Sequence, residues 1–326
     1  MRKILLIVVV GWWGGWHLAA RATTYTVNPG ESIQTAIDGA SYGDTVEVAI
    51  GAYAENITLK NGVVLIGYGA TVVGKNDGSV VISVACDPNT ILEGFVITSG
   101  YGGFAGGGML NNGSSPTVSN CTFSGNSVVN GGGICNVDSS PMVTNCTFSG
   151  NSAGGSGGGM RNYNSNPTIT NCIFWGNHAA EVGNEIYNDS TLPIISFCDI
   201  AGCGGSGAGW DTSLGNDAGG NIDIDPLFAN PDNDFHLKSQ FGRGSSNPAE
   251  PFITFDSVKS PCIDAGDPTM NVGNETTDNG ERINMGAYGG TKQASRSGFN
   301  ADTNGDGMVN LLDLAILAAH WLKGST

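Results

Sequence analysis

Charge is scarce in this chain, and basic charge scarcest of all. Charged residues make up 13% of the 326, with 13 Lys and Arg against 29 Asp and Glu, a formal net charge of −16. Such a balance excludes nucleic acid and anionic membrane surfaces as partners, since both call for a basic footprint. Histidine is rarer still, at four residues, and Cys-x-x-Cys is missing, so no zinc site is written in the chain. Beyond the first 22 residues no apolar run is long enough to span a membrane. The central region shows no helical periodicity and no leucine framework, which removes helical and leucine-rich repeats from consideration. Glycine, by contrast, is abundant at 52 residues, a composition suited to dense turns.

The sequence repeats itself. "GGGMLNNGSSPTVSNCTFSGN" returns as "GGGICNVDSSPMVTNCTFSGN" and again as "GGGMRNYNSNPTITNCIFWGN". Pro116, Pro141 and Pro167 recur at intervals of 25 and 26 residues, as do Cys121, Cys146 and Cys172, and Pro193 and Cys198 continue the series in a looser copy. A unit this short cannot bury its own apolar face, so copies must stack. Propeller blades need about 40 residues or more. Short β-type runs separated by Gly, Asn, Ser and Pro therefore point to a parallel β-helix of about three strands per coil. Within "TVSNCTFSG" the alternation slips, and a bend near Asn120 would let Val118, Cys121 and Phe123 all face inward.

The chain opens with two basic residues, an apolar core and Ala20-Arg21-Ala22, the pattern of a secretory signal peptide over residues 1–22. Its removal takes Arg2, Lys3 and Arg21, leaving 10 basic against 29 acidic residues, or −19. Residues Ser32 to Ala40 form an amphipathic helix candidate placed to cover the open end of the solenoid, followed by strand runs "TVEVAI", "NITL" and "VVLIG". The β-helix is expected over 23–218 with its repeats at about 101–200, a terminal segment over 219–291 and a polar linker over 292–301. Of the eight cysteines, the four in the repeats read as stacked small hydrophobes, while Cys198 and Cys203 are the best placed pair for a local disulfide.

"SIQTAIDGASYGDTVEVAIGAYAENITL" resembles the opening of right-handed parallel β-helix proteins of the pectin lyase-like superfamily. The "GGGM/GGGI" and "FSGN/FWGN" pairs resemble the repeats of polymorphic outer membrane proteins, which implies an asparagine ladder through Asn126, Asn151 and Asn177. "NIDIDPLFANPDNDFHLKSQ" with "SPCIDAGDP" and "RINMGAYGG" is similar to the terminal segment of exported planctomycete-type β-helix proteins. The superfamily includes pectate lyases, pectin methylesterases and polygalacturonases, so hydrolysis and elimination are the activities to test. Their Gly-His-Gly, Asn-Thr-Asp and Gly-Arg-Pro-Trp motifs are absent. Asp223 and Asp225 are the best carboxylate pair, on one face if their run is a strand, though the terminal segment favours turn residues. Arg161 replaces Leu110 and Cys135 and is the one basic candidate for a lyase, read mainly as an exposed loop residue. No histidine has an evident partner. For binding without turnover, Tyr163 and Trp175 in one coil offer aromatic platforms. A protein this acidic repels polygalacturonate unless calcium bridges the two, so neutral extracellular polysaccharide is the easier ligand. A surface adhesin or structural display protein is the alternative.

The tail carries the sharpest motif. "DTNGDGMVNLLD", residues 302–313, matches a twelve-residue calcium loop at every coordinating position: Asp302, Asn304, Asp306, the Met308 carbonyl, Asn310 and Asp313, with Gly307 at the turn. With the following "LAILAAHWL" it resembles one repeat of a type I dockerin, which implies attachment to a cohesin-like or other surface protein. A dockerin has two such repeats and this chain has one. The expectation is an all-β, right-handed parallel β-helix solenoid with an N-terminal helical cap and a dockerin-like, EF-hand-like tail over 302–326, secreted or at the cell surface.

Overall fold

A computed structural model describes residues 22–244, 254–275 and 280–297. The signal-peptide candidate up to residue 21 and the calcium loop lie outside the described residues. Each repeat makes one coil of four short parallel strands, as in Ile134–Val137, Met142–Thr144, Thr147–Ser149 and Ser152–Ala153. Stacking equivalent strands builds four faces. The first runs from Ile57–Thr58 to Ile186–Asp189 in six strands. Two long strands, Val64–Val73 and Ile91–Thr98, bend across the corner between the second and third faces. The fourth has the three strands Ser127–Val128, Ser152–Ala153 and His178–Ala179.

The corner between the second and third faces is turned by one left-handed residue per coil: Asn120 at φ 51°, Asn145 at 51° and Asn171 at 55°. Asn tolerates this region better than other side chains. The bend resolves the slipped alternation, because Val118, Cys121 and Phe123 are all fully buried. Phe123, Phe148 and Phe174 stack at centroid distances of 5.0 and 4.3 Å with planes 4° apart. Such pairs add about 0.5–1.5 kcal/mol each beyond their burial.

The glycine triplets exist because the coils nearly touch. A Cβ on Gly132 would come within 2.5 Å of the Gly158 carbonyl oxygen, and one on Gly159 within 2.5 Å of that of Glu185. Where no further repeat follows, the constraint ends and the triplet becomes Gly183-Asn184-Glu185.

The solenoid is closed at its start by a helix, α1, Ile33–Gly39. Its N-cap is Ser32, whose hydroxyl accepts the Thr35 N–H, and it buries Ile33, Ala36 and Ile37. Glu55 reaches under it to accept the N–H groups of Ile33 and Gln34.

All eight cysteines are buried and free. The expected Cys198–Cys203 disulfide is therefore not formed. Cys198 is the fourth rung of the thiol column, where its Sγ accepts the Cys172 N–H at 3.4 Å and donates to the Ser196 carbonyl. Cys203 instead turns its thiol to the Ile222 carbonyl at 3.2 Å. Burial pushes the thiols of Cys121, Cys146 and Cys172 well up, as expected of hydrophobes rather than nucleophiles.

After the last coil the chain forms an antiparallel pair, Phe228–Asn230 with Asp234–Leu237, then returns over the corner of the preceding coils. Asn120 Nδ2 donates to the carbonyls of Ala287 and Gly289, Thr147 Oγ1 accepts the Ala287 N–H, and Asn171 Oδ1 accepts the Asp267 N–H. A second apolar cluster of Phe228, Phe235, Cys262 and Met285 covers Ile173 there. Among the described residues, no helix is long and apolar enough to cross a membrane.

Candidate functional site

Two asparagine ladders run the length of the repeats. In one, Asn151 Oδ1 accepts both the N–H and the Nδ2–H of Asn126, and Asn177 Oδ1 accepts the same pair from Asn151, at 2.8–3.2 Å. The other was not foreseen. Asn111, Asn136, Asn162 and Asn188 pass an amide hydrogen bond along the inside of the first face, 2.8 Å between asparagines, ending on the Ser213 carbonyl at 2.9 Å. The first ladder ends on a carboxylate: Glu185 accepts the Asn177 N–H on one oxygen and its Nδ2–H on the other. Burial raises the Glu185 carboxyl to about 7, against the lowering effect of the Asn177 hydrogen bonds.

The ladders account for the interior, so chemistry has to sit on the outward side chains. Asp223 and Asp225 are exposed but lie in no regular strand; only Ile222 makes a bridge, to Asp199. Asp223 accepts the N–H groups of Gly202 and Gly204, one on each oxygen, and Asp225 accepts that of Leu227. They are turn caps, and no paired face brings them to a substrate. Nearby Asp199 is fully buried, and burial raises its carboxyl to about 7 while the Cys262 thiol donates to it at 3.0 Å.

Trp175 and Tyr163 share a coil but not a surface. Tyr163 stands on the first face, 46% exposed, whereas Trp175 lies on the third and packs against the cluster of the returning segment. The separation follows from the corner: residues twelve apart in this coil face different sides.

Arg161 is not an exposed loop residue. It belongs to the strand Met160–Tyr163, its side chain is only 19% exposed, and its guanidinium lies 6.0 Å from the ring centres of both Tyr163 and Tyr187. Asp189 stands 3.8 Å from its Nη2. The buried Nε has no hydrogen-bond partner. Register explains the meeting, because Arg161 pairs with Tyr187 and Tyr163 with Asp189 in the next coil. Tyr187 was missed, although it occupies the Arg161 position one repeat later.

His236 does have a partner: its Nδ1 lies 2.6 Å from Asp234 Oδ1 and its ring stacks on Tyr288 at 3.8 Å. Burial opposes the Asp234 charge, but His236 and Arg243 together hold its carboxyl below the usual range. With the His236 ring 1% exposed, this cluster belongs to the core of the returning segment. No group of three or more His, Cys, Asp or Glu among the described residues is placed to hold a metal ion.

On the first face, Arg161, Tyr163, Tyr187 and Asp189 meet beside a cleft of about 360 Å³ at the end of the solenoid, lined by Tyr187, Asn188, Asp211 and Ser213. Aromatic rings flanked by an Arg–Asp pair can stack a sugar ring and bond its hydroxyls.

No curated protein matches the chain. Among solved structures, the crystal structure of the pectin methylesterase from Aspergillus niger in deglycosylated form is similar over 61% of this chain and 82% of that chain, at 14% identity and a TM-score of 0.31. The family model described as right handed beta helix region matches residues 55–222. Coil stacking, the corner asparagines and the glycine turns all fall in that span, and the chain belongs to the right-handed β-helix family.

Proposed function

We propose that this is an exported β-helix protein that binds neutral extracellular polysaccharide on its first face without turning it over, and that a calcium-loaded tail attaches it to a surface or assembly. The observation that carries the reading is the Arg161 guanidinium held between Tyr163 and Tyr187 of successive coils, with Asp189 beside it. Register sets Tyr187 beside Arg161 and Asp189 beside Tyr163, so the two rings lie diagonally on successive coils as a strip of two separate apolar platforms, with the guanidinium and carboxylate between them. Binding without turnover is favoured because the carboxylates Asp223 and Asp225 are spent on backbone N–H groups. Net charge favours a neutral chain over a polyuronate.

The tail reading rests on the twelve-residue pattern from Asp302 to Asp313, in which three carboxylates, two amides and a carbonyl supply the oxygen set that calcium takes. Retention of xylan, glucan, mannan and pectate in affinity electrophoresis, with a reducing-end and unsaturated-uronide assay on the same samples, tests the proposal. Neutral polymers should be retained with no product formed, and Tyr163→Ala should weaken retention about tenfold. New reducing ends or unsaturated uronide would replace binding with hydrolysis or elimination.

A further inference from the structure

Inside the solenoid, the N–H groups of each glycine turn point at the coil that follows. Those of Gly157, Gly158, Gly159 and Met160 donate to the carbonyls of Val182, Gly183, Asn184 and Glu185 at 2.9–3.1 Å. The last coil keeps this geometry but has no follower. The N–H groups of Gly183, Asn184, Glu185 and Ile186 therefore face forward, and none has an acceptor among the described residues. Four consecutive donors left this way are available to a ligand that brings acceptors. Ahead of them lies the cleft of about 360 Å³, with Asp211, Ser213 and Leu214 on its far wall. Pockets of roughly 300–1,000 Å³ take compact ligands.

The surroundings decide which ligand fits. A second copy meeting this one end to end in two-fold fashion would set donors against donors. Head-to-tail stacking is closed by α1, which covers the start of the solenoid. An extended peptide cannot lie along Ile186–Asp189, because the 3-10 turn Thr212–Leu214 already packs there and Asn188 Nδ2 donates to the Ser213 carbonyl at 2.9 Å. An anion would suit the four N–H groups, as backbone nests do. It is opposed by Asp211 in the cleft, by Asp189 beyond it and by the net charge of −16. What remains is a compact neutral molecule with acceptor oxygens and one apolar face to lie against Tyr187.

We infer that this cleft receives the terminal sugar rings of the neutral glycan, whose chain then continues over Tyr187 and Tyr163. The inference rests on the glycan reading of the first face and adds end recognition to it. The four N–H groups bond ring and hydroxyl oxygens, and the Tyr187 ring links the cleft to the Arg161 strip. Asp211, whose Oδ1 takes the Ser213 N–H, keeps its second oxygen for a sugar hydroxyl.

Two variants fill the cleft from exposed positions that make no side-chain hydrogen bond, Ser213→Trp and Val182→Trp. The probes are hexasaccharides of β-1,4-linked xylose, glucose and mannose, each also reduced at one end or blocked at the other, alongside the parent polymers. For the hexasaccharide that the unaltered protein binds, both variants should lose affinity about tenfold or more with melting temperature unchanged, and modifying one of its two ends should cause the same loss. Retention of the long polymer, carried by the tyrosine strip, should persist. Hexasaccharide binding that is unaffected by both variants, or by modification of either end, overturns end recognition while leaving the glycan reading standing. Failure of the unaltered protein to retain any neutral polymer overturns both.

Discussion

Replacing Glu185 by glutamine should make the protein more stable at pH 8 and leave it nearly unchanged at pH 4.5. Inside the ladder a single amide oxygen accepts both hydrogens of the preceding asparagine, as Asn177 Oδ1 does for Asn151. A glutamine oxygen at position 185 can do the same for Asn177, with its amino group turned to the cleft that Glu185 lines. Glutamate does so at a cost, since burial raises its carboxyl from 4.5 to about 7. A carboxyl raised in the folded state favours folding below its unfolded pKa, and that advantage is lost as pH rises from 4.5 through 7. The difference amounts to roughly 3 kcal/mol at pH 8. Glu185→Gln removes it, and Glu185→Gly provides the contrast, because it strands two buried donors on Asn177 at about 1–3 kcal/mol each. Urea unfolding followed by far-ultraviolet circular dichroism at pH 4.5 and 8 reads both. An equal effect of the glutamine variant at the two pH values would refute the reasoning, since the ladder end would then not be titrating.

Asp199 and Glu275 are also raised to about 7, chiefly by burial, so the whole protein should melt at a higher temperature near pH 5 than at pH 8. A melting temperature that rises steadily from pH 5 to 8 would contradict this. Cys146→Ala should destabilise by about 1 kcal/mol or more through lost packing, while thiol titration of the denatured unaltered protein counts eight free thiols. A lower count would show a disulfide. Calorimetry should find one calcium site, abolished by Asp302→Ala with Asp306→Ala while the β-helix melts as before. Calcium binding unchanged in that double variant would move the site elsewhere.

The interior of this protein was legible in its sequence because stacking repeats the same local demand in every coil. A period of 25 to 26 residues forces Cys121 over Cys146 and Phe123 over Phe148. An αL corner asks for Asn120, Asn145 and Asn171, and a helix start at Ser32 asks for a hydroxyl cap. The Asn126 ladder was visible for the same reason, while the Asn111 ladder was overlooked although it obeys the same period.

Outward side chains carry no such demand, and only the tertiary structure decided their fate. The returning segment reaches Asn120 from Ala287 and Gly289, contacts 167 and 169 residues apart in the chain, and packs against the ring of Trp175 on the way. Periodicity has no means of announcing a contact that happens once. Arg161 met Tyr187 because the strand register put it there, Asp223 and Asp225 were taken up by glycine amides of the adjoining loop, and Glu185 ended a ladder because no coil stood beyond it. Repetition specified the core, and the place where repetition stops left backbone donors without partners among the described residues.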